Sequence, residues 1–482
     1  MKKVLALVLA VMLALSFAAC GGEKKGADGD VTITWYVPGD KQADIASVLE
    51  EANKITMEKL GVKLDIQFMD LASFTQRMTM NFASGSDEFD LTFTGYINPY
   101  RDAVIKGAYL EISDFVKKSK VIQEQIPEYA RECSMVNGEL YGLPNMQIMT
   151  SGCGLFIQKD LAEEYGLKVE DIKHLEDIEP FLEWVKNTHP EIYPFRTGRY
   201  AGGLEAQKGR NGDVVTKGVT VRAKANGGVE VLSDLDLKDE TEEALLMRKW
   251  FEKGYIRADV ASAGDDTQEH AAGKFAVWRS TYKPGGDIEF NNNNPDNPCV
   301  MALISDACLP YNSGYTAMTA INANSKHPEE AFKVFELMHS DKEFYNLICY
   351  GIEGKHYNFD EEGRVVYIEN SGYKPAACWK FGSVFNSYLL PGQPENIWEE
   401  TVAFNDSAIK SAVMGFSFDQ SKVKTEVAQI ATVKSKYKQS ETGAEALDAW
   451  YPAYLSELEA AGVETVKAEV EKQLNEWMKA KK

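Results

Sequence analysis

Residues 31–94 decide the fold class, and they read VTITWYVPGDKQADIASVLEEANKITMEKLGVKLDIQFMDLASFTQRMTMNFASGSDEFDLTFT. Strand patterns occur at Val31–Tyr36, Val62–Phe68 and Phe89–Thr94. Between them, apolar residues recur at the three- and four-residue steps of amphipathic helices. This strand–helix alternation predicts an α/β fold with a parallel sheet covered by helices on both faces.

In sheets of this kind ligands bind beyond the carboxyl ends of the strands. Here those ends are Trp35–Asp40 and Gly95–Tyr100. The sequence therefore predicts that a binding site includes residues of these two turns.

Strand and helix patterns continue to alternate along the chain. Further strands are predicted at Gly154–Gln158, Ala276–Arg279 and Ala317–Ile321, helices at Pro328–Ser340 and Val463–Trp477, and a loop at Asn291–Pro298. No internal repeat is visible.

The N-terminus has the pattern of an export signal. Lys2 and Lys3 precede an apolar stretch from Val4 to Ala19, which is too short for a permanent membrane span. The stretch ends in Phe-Ala-Ala before Cys20, which resembles the bacterial lipobox, although Phe17 stands where an aliphatic residue is usual. We expect residues 1–19 to be a lipoprotein signal peptide, Cys20 to carry lipid, including palmitate, and residues 20–30 to be a flexible tether. A plain secretory signal is the alternative.

Composition excludes several classes of protein. The 482 residues include 52 basic and 73 acidic side chains, for a formal charge of −21, and 44% are hydrophobic. Ordinary globular composition argues against a disordered chain, and the acidic balance argues against a general nucleic-acid binder. The six histidines form no HExxH motif, and neither a GxSxG nor a phosphate-loop motif occurs.

Metal and disulfide motifs are also weak. Asp234 and Asp236 begin an EF-hand-like spacing, but Lys238 and Asp239 break it. Apart from Cys20, the cysteines have no metal-like spacing, and buried free thiols are the preferred interpretation. Cys299 and Cys308 are the disulfide pair to test first. We expect no metal and no cofactor.

Several motifs resemble bacterial ABC-importer solute-binding proteins of the sugar-binding type (family 1). They are FDLTFTG at Phe89–Gly95, VNGELYGLP at Val136–Pro144, FIQKDLAEEYG at Phe156–Gly166 and KHPEEA at Lys326–Ala331. YGIEGKHY at Tyr350–Tyr357, GFSFDQSKVKTEVAQIATV at Gly415–Val433 and AGVETVKAEVEKQLNEW at Ala461–Trp477 resemble a lipoprotein subfamily and its C-terminal domain. The motifs cover nearly the whole mature chain in order.

The resemblance implies a two-lobed periplasmic-binding-protein-like fold (type II) with a hinge between the lobes. Lobe one is expected at 31–152 plus 309–370, and lobe two at 153–308 plus 371–482, including the C-terminal helical segment. The ligand binds the closed state better and shifts the population toward closure, which a permease can detect.

Sugars have apolar ring faces edged by hydroxyls, so their sites combine aromatic rings with a few polar groups. Candidate ligand-binding residues are Trp278, Trp379, Trp35, Tyr36, Tyr96, Arg279, Tyr282, Asp40, Asn145 and Phe381, with Asn98 and Arg196 as further loop candidates. Core packing is the competing interpretation for each aromatic residue, and solvation for each polar one. Trp398 and Trp477 are interpreted as packing residues.

We therefore expect a lipid-anchored, monomeric protein on the extracellular face of the cell membrane. It captures a carbohydrate, an oligosaccharide by preference, for the transmembrane subunits of an ABC permease, and it performs no catalysis and binds no nucleic acid. Three alternatives remain: a binding protein for another solute such as a peptide, a secreted glycoside hydrolase and a surface adhesin.

Overall fold

The first sheet is built largely from the stretch that decides the fold class. The structure is a computed structural model that describes residues 31–197, 212–224, 228–237, 239–438 and 440–480. The expected signal peptide, Cys20 and the tether lie outside the described residues. Five strands form this sheet, in the order β2-β1-β3-β13-β4: β1 (Thr32–Pro38), β2 (Lys63–Met69), β3 (Leu91–Gly95), β4 (Leu143–Pro144) and β13 (Ala317–Ile321).

The predicted βαβαβ unit is confirmed. β1 pairs in parallel with both β2 and β3, whereas β13 is antiparallel to β3 and to β4. The connecting helices are Ile45–Leu60 and Leu71–Ser84. Gly61 ends the first in a left-handed conformation, and the Asp70 carboxylate caps the second by accepting from the Ser73 amide at 3.0 Å.

Short helices and two long helices complete this body. They are Tyr100–Ile105, Ser113–Lys118, Lys120–Gln125, Glu128–Glu132, Pro328–Ser340 and Lys342–Tyr350. Helix Tyr100–Ile105 packs in a separate small cluster with Tyr109 and Met318, and the apolar faces of the other helices form one core with β1 and β2. Tyr373, Ala377 and Phe381 pack into that same core, although the sequence assigns residues from 371 onward to lobe two. The lobe boundaries stay a prediction.

A second sheet has the strand order β11-β5-β10-β6. Its strands are β5 (Cys153–Gln158), β6 (Tyr193–Phe195), β10 (Phe275–Thr281) and β11 (Cys299–Leu303). The helices of this part of the chain are Lys159–Tyr165, Glu179–Thr188, Asp239–Glu252, Thr267–Ala271 and Gly286–Asn293. The chain crosses from the first sheet to the second between β4 and β5, and it returns between β11 and β13.

The expected loop at Asn291–Pro298 is partly wrong, because helix Gly286–Asn293 extends into it. Asparagine side chains satisfy backbone groups around the end of this helix. The Asn293 amide donates to the Glu289 carbonyl at 2.9 Å, and Asn291 exchanges hydrogen bonds with the backbone of Cys299 at 3.0 and 2.8 Å. The loop prediction rested on turn-forming residue types and did not consider these side-chain hydrogen bonds.

A third sheet of β7 (Asp213–Thr216), β8 (Val219–Ala223) and β9 (Val229–Ser233) packs against the C-terminal helices. Those helices are Lys424–Tyr437, Leu447–Ala460 and Val463–Ala480, so the predicted helical tail is confirmed. The Asp234 carboxylate is paired with the Lys434 ammonium, and Asp236 with Lys467. Lysine side chains thus lie against both carboxylates of the turn that resembled the start of an EF-hand.

The remaining regular elements are short strands and one helix. They are β12 (Cys308–Leu309), β14 (Tyr357–Phe359), β15 (Val365–Tyr367), β16 (Ile409–Lys410) and helix Ile397–Ser407. Among the described helices, none combines the length and the apolar character that crossing a bilayer requires.

Candidate functional site

A cavity of about 490 Å³ lies between the segment that follows β10 and the segment from β15 to helix Ile397–Ser407. Residues 283–293, which contribute one wall, belong to the part of the chain that carries the second sheet. Tyr350 and Tyr367 pack with the first core, and Trp379 packs with a small cluster that includes Tyr36 and Phe93. The cavity therefore lies between the part of the chain that carries the second sheet and the part that packs with the first.

The lining combines aromatic and polar side chains, as carbohydrate sites do. The aromatic members are Tyr350, Tyr367, Trp379 and Trp398, and the polar or charged members are Gln147, Lys283, Glu289, Asn292, Asn293, Lys374, Ser387, Gln393 and Thr401. Lys283 is paired with Glu289, and the Lys374 ammonium lies 4.8 Å from the centre of the Tyr367 ring. Of the two lysines on this wall, Lys283 is thus paired with a carboxylate, and Lys374 lies over an aromatic ring.

Trp379 connects this cavity to the carboxyl end of β3. Its ring contacts Phe93 edge-on at 5.5 Å and lies nearly parallel to Tyr96, with ring centres 6.0 Å apart. Tyr96 is 62% exposed and directly follows β3.

A Cβ on Gly95 would lie 2.4 Å from the Thr316 carbonyl oxygen, so glycine at this position lets the end of β3 approach the turn at Thr316 closely.

Lys380 and Asn145 hold the turn that carries Trp379. The Lys380 ammonium donates to the Pro38 carbonyl at 2.6 Å, and burial lowers the pKa of Lys380 while the charge of Asp40 opposes that effect. Asn145 donates to the Lys380 carbonyl at 2.7 Å and accepts from the Thr319 hydroxyl at 3.0 Å. Asn145 is buried, so in this structure it supports the aromatic turn, while Asp40 is exposed beside it.

Three other candidate aromatic residues lie inside the protein. Trp35 contacts Phe381 edge-on at 5.1 Å, and neither side chain has any exposed surface. Tyr36 stacks on Phe89 at 5.2 Å, and the guanidinium of Arg77 donates to its hydroxyl at 3.1 Å. These contacts are those of core residues, and ligand contact by Trp35, Tyr36 and Phe381 stays a prediction.

Trp278 and Arg279 are adjacent on β10 and point to opposite faces of the strand. Trp278 is 5% exposed and packs among Phe156, His270 and Phe290. Arg279 is buried and paired with Glu243. Neither side chain is part of the cavity wall described above, so their predicted ligand contact also stays a prediction.

The remaining candidates have protein partners. Tyr282 is half-buried against Phe404, with ring centres 5.2 Å apart, and burial raises its pKa. The Asn98 amide donates to the Tyr109 hydroxyl at 3.0 Å. Arg196 forms a bidentate pair with Asp266 at 2.5 and 3.1 Å.

Sequence reasoning missed several residues of this wall. Trp398 was interpreted as a packing residue, yet it lines the cavity while its indole nitrogen donates to the Ser387 carbonyl at 3.0 Å. Tyr367, Lys374 and Asn292 were not singled out. A signal was present, because Trp398 shortly follows the Pro391-Gly392 break in the way that Trp379 follows Lys374-Pro375.

Comparisons with known proteins agree with this architecture. Residues 39–343 match the family described as bacterial extracellular solute-binding protein, and residues 412–479 match a domain of unknown function, DUF3502. A carbohydrate ABC transporter substrate-binding protein from Streptococcus pneumoniae serotype 4 is 27% identical, over 98% of this chain and 97% of that protein.

Solved structures of solute-binding proteins superpose on this chain. The N-glycan transport solute-binding protein NgtS of Streptococcus pneumoniae superposes with a TM-score of 0.82 at 25% identity, covering 94% of this chain and 100% of that one. Its complex with Man1GlcNAc gives a TM-score of 0.72 at 25% identity, covering 93% of this chain and 100% of that one. An HMO-binding, ABC-transporter-associated solute-binding protein from Bifidobacterium longum infantis, 15% identical, shares the fold with a TM-score of 0.64 over 93% of this chain and 99% of that one.

These neighbours are solute-binding proteins of the two-lobed type, which confirms the predicted fold class. The family match spans more than half of the chain. The chain belongs to the bacterial extracellular solute-binding protein family.

Proposed function

We propose that this protein captures a neutral oligosaccharide between its two lobes and delivers it to the permease of an ABC importer. The observation that carries the proposal is the aromatic surface of Trp379 and Tyr96 at a cavity bounded by both parts of the fold. Aromatic faces cover the apolar faces of sugar rings, and the amides and hydroxyls of the wall bind their hydroxyl groups.

We further propose that the ligand contains mannose and N-acetylglucosamine. NgtS, whose structures superpose over nearly the whole chain, has been solved with Man1GlcNAc and with Man5GlcNAc. The partnered charges at the cavity of this chain suit neutral saccharides of this kind.

Closure of the lobes is the proposed signal of occupancy. The TM-score to NgtS falls from 0.82 to 0.72 and 0.68 when NgtS carries Man1GlcNAc or Man5GlcNAc. The conformation of this chain thus resembles the NgtS structure described without a saccharide more than it resembles the two complexes. A ligand that contacts both lobes favours the closed state by the difference in its affinity for the two states.

Calorimetry with a panel of neutral oligosaccharides, peptides and acidic sugars tests the ligand class. We expect one binding event per chain with a mannose- and N-acetylglucosamine-containing saccharide. The absence of binding across the saccharides together with tight peptide binding would overturn the carbohydrate proposal.

We propose that binding occurs without chemical change. Recovery of the intact saccharide after long incubation supports this proposal. Steady release of reducing ends, lost on substitution of a single Asp or Glu, would instead identify a glycoside hydrolase.

We also propose that Cys20 is lipidated and that the monomer stands on the extracellular face of the membrane. The lipobox-like sequence before Cys20 supports this location. Cys20→Ser should release the protein into the medium with its saccharide affinity intact. Retention of the variant on cells would contradict the anchor.

A further inference from the structure

Two cysteines from different elements lie near each other beside the cavity. Cys349 lies in the last turn of helix Lys342–Tyr350, and Cys378 begins the short helical turn that includes Trp379. The two side chains are close enough for each to shift the pKa of the other. The pair therefore joins a helix of the first body to the aromatic turn of the candidate site.

A hydrogen bond also joins helix Lys342–Tyr350 to the backbone of the turn that begins at Cys378. The Tyr345 hydroxyl, one turn before Cys349, donates to the carbonyl oxygen of Cys378 at 2.8 Å. This bond holds the turn that carries Cys378 against the helix that carries Cys349.

The two thiols differ in their access to solvent. Cys349 has no exposed surface, whereas Cys378 is half-buried and lines the cavity. A reagent entering the cavity therefore reaches Cys378 first. Hydrogen bonding by Cys349 lowers the pKa of Cys378, while burial raises the pKa of Cys349, so the reactive thiolate forms on the accessible partner.

The sequence prefers buried free thiols and names Cys299 and Cys308 as the disulfide pair to test first, and these two positions are too far apart for a disulfide. Cys299 is opposite Gln158 on β5 and Cys308 is opposite Ser151, so they lie seven residues of extended chain apart, or about 23 Å. A disulfide requires Cα atoms within about 7 Å.

We propose that Cys349 and Cys378 are a redox-active dithiol that closes to a disulfide at the wall of the ligand cavity. The oxidant is a small or protein disulfide of the extracytoplasmic space. The Cys378 thiolate attacks this disulfide, forms a mixed disulfide and releases one thiolate. Cys349 then loses its proton and attacks the Cys378 sulfur, which expels the second thiolate. Two cysteine thiols give up two electrons and two protons, and one disulfide is reduced to two thiols.

Thiol counting with oxidised glutathione tests the proposal. The full chain carrying Cys20→Ser retains six cysteines; it is reduced, freed of reductant, exposed to oxidised glutathione in the folded state, and then denatured and alkylated. We expect four alkylated cysteines and a proteolytic fragment that joins the peptides of Cys349 and Cys378. Six free thiols, or a disulfide between other cysteines, would overturn the proposal.

Two variants distinguish the order of reaction. Cys349→Ser removes the resolving thiol, so the reaction should stop with one glutathione on Cys378. Cys133→Ser, which alters a buried thiol elsewhere in the first core, should still form the Cys349–Cys378 bond. Near-ultraviolet circular dichroism checks that each variant is folded, and Cys349→Ala replaces Cys349→Ser if the hydroxyl prevents folding. A glutathione that stays on Cys378 while Cys349 remains a free thiol in the unsubstituted chain would contradict the transfer step.

Discussion

At the scale of single residues, Trp379 and Trp278 have different surroundings, although both are predicted to contact the ligand. Both follow patterns that mark strand ends or turns, and the sequence treats them alike. The structure places Trp379 on the cavity beside exposed Tyr96, and it buries Trp278 among Phe156 and His270. Sequence spacing places a residue near a strand end, but which neighbours cover its ring depends on segments far away in the chain.

Trp379→Ala should weaken binding of the preferred oligosaccharide by about 1–3 kcal/mol, because an aromatic face against a sugar ring is lost. Calorimetry on the folded variant measures this change. Trp477→Ala is the matched control, because Trp477 packs on Phe416 in the C-terminal region and should leave the affinity unaltered. Equal affinities for Trp379→Ala and the unsubstituted chain would remove Trp379 from the site.

Trp278→Ala should lower the melting temperature, because it opens a cavity among packed rings. The affinity of the molecules that remain folded should change little. A thermal melt and a binding isotherm on the same sample measure the two effects. A large loss of affinity at unchanged stability would restore Trp278 as a ligand contact.

His339 gives a pH dependence with a defined sign. Its ring has no exposed surface, neither nitrogen has a hydrogen-bond partner among the described residues, and burial lowers its pKa to about 3. The unfolded chain takes up a proton below about pH 6.5, whereas the folded chain does so only near pH 3. This histidine therefore destabilises the fold as pH falls from about 6.5 to 3, by up to about 1.4 kcal/mol per pH unit.

His339→Gln should remove this contribution, so its free energy of unfolding should fall less steeply between pH 6.5 and 4 than that of the unsubstituted chain. Urea denaturation at several pH values measures the slopes, which are compared independently of any constant loss of stability. His174→Gln, at an exposed histidine, is the control for the same substitution at the surface. Identical slopes for all three chains would rule out His339 as the source.

At the scale of helices and strands, local patterns predict the elements well where their apolar faces are continuous. Ile45–Leu60, Pro328–Ser340 and β13 fall where spacing and turn residues put them. The sheet β7-β8-β9 was missed although β7 and β8 form a hairpin across Lys217-Gly218, which is a local signal. Its packing against the C-terminal helices is not visible in any local pattern. The cavity wall was only partly predicted for the same reason, since residues 283–293 and 365–401 meet through tertiary packing.

Helix Lys424–Tyr437 provides a test of how the C-terminal region is held. The Lys434 and Asp234 side chains are 13% and 4% exposed, and they form an ion pair to which the Tyr454 hydroxyl also contributes, 3.3 Å from the carboxylate. Lys434→Met should lower the free energy of unfolding by about 3 kcal/mol, because a buried carboxylate loses its compensating charge. Chemical denaturation measures the loss.

Lys436→Met is the control on the same helix. Lys436 pairs with Glu457 on the surface, where water screens both charges, so this substitution should have no measurable effect. Similar losses of unfolding free energy for Lys434→Met and Lys436→Met would show that the buried ion pair stabilises this region no more than the surface pair does.

At the scale of the whole molecule, the account depends on two bodies that close on a ligand. The chain passes between the first and second sheets twice, and the candidate cavity lies beside the first crossing, at Gln147 and Ile148, with walls from both parts. Family motifs in the sequence predicted this two-lobed class. They did not predict which side chains line the cavity, because that depends on how the lobes meet.

Small-angle X-ray scattering of the mature chain, with and without the saccharide that calorimetry identifies, tests the central claim most directly. We predict that saturating saccharide lowers the radius of gyration, and that Trp379→Ala requires a correspondingly higher saccharide concentration for the same change. An unchanged radius of gyration at full occupancy would contradict capture by lobe closure.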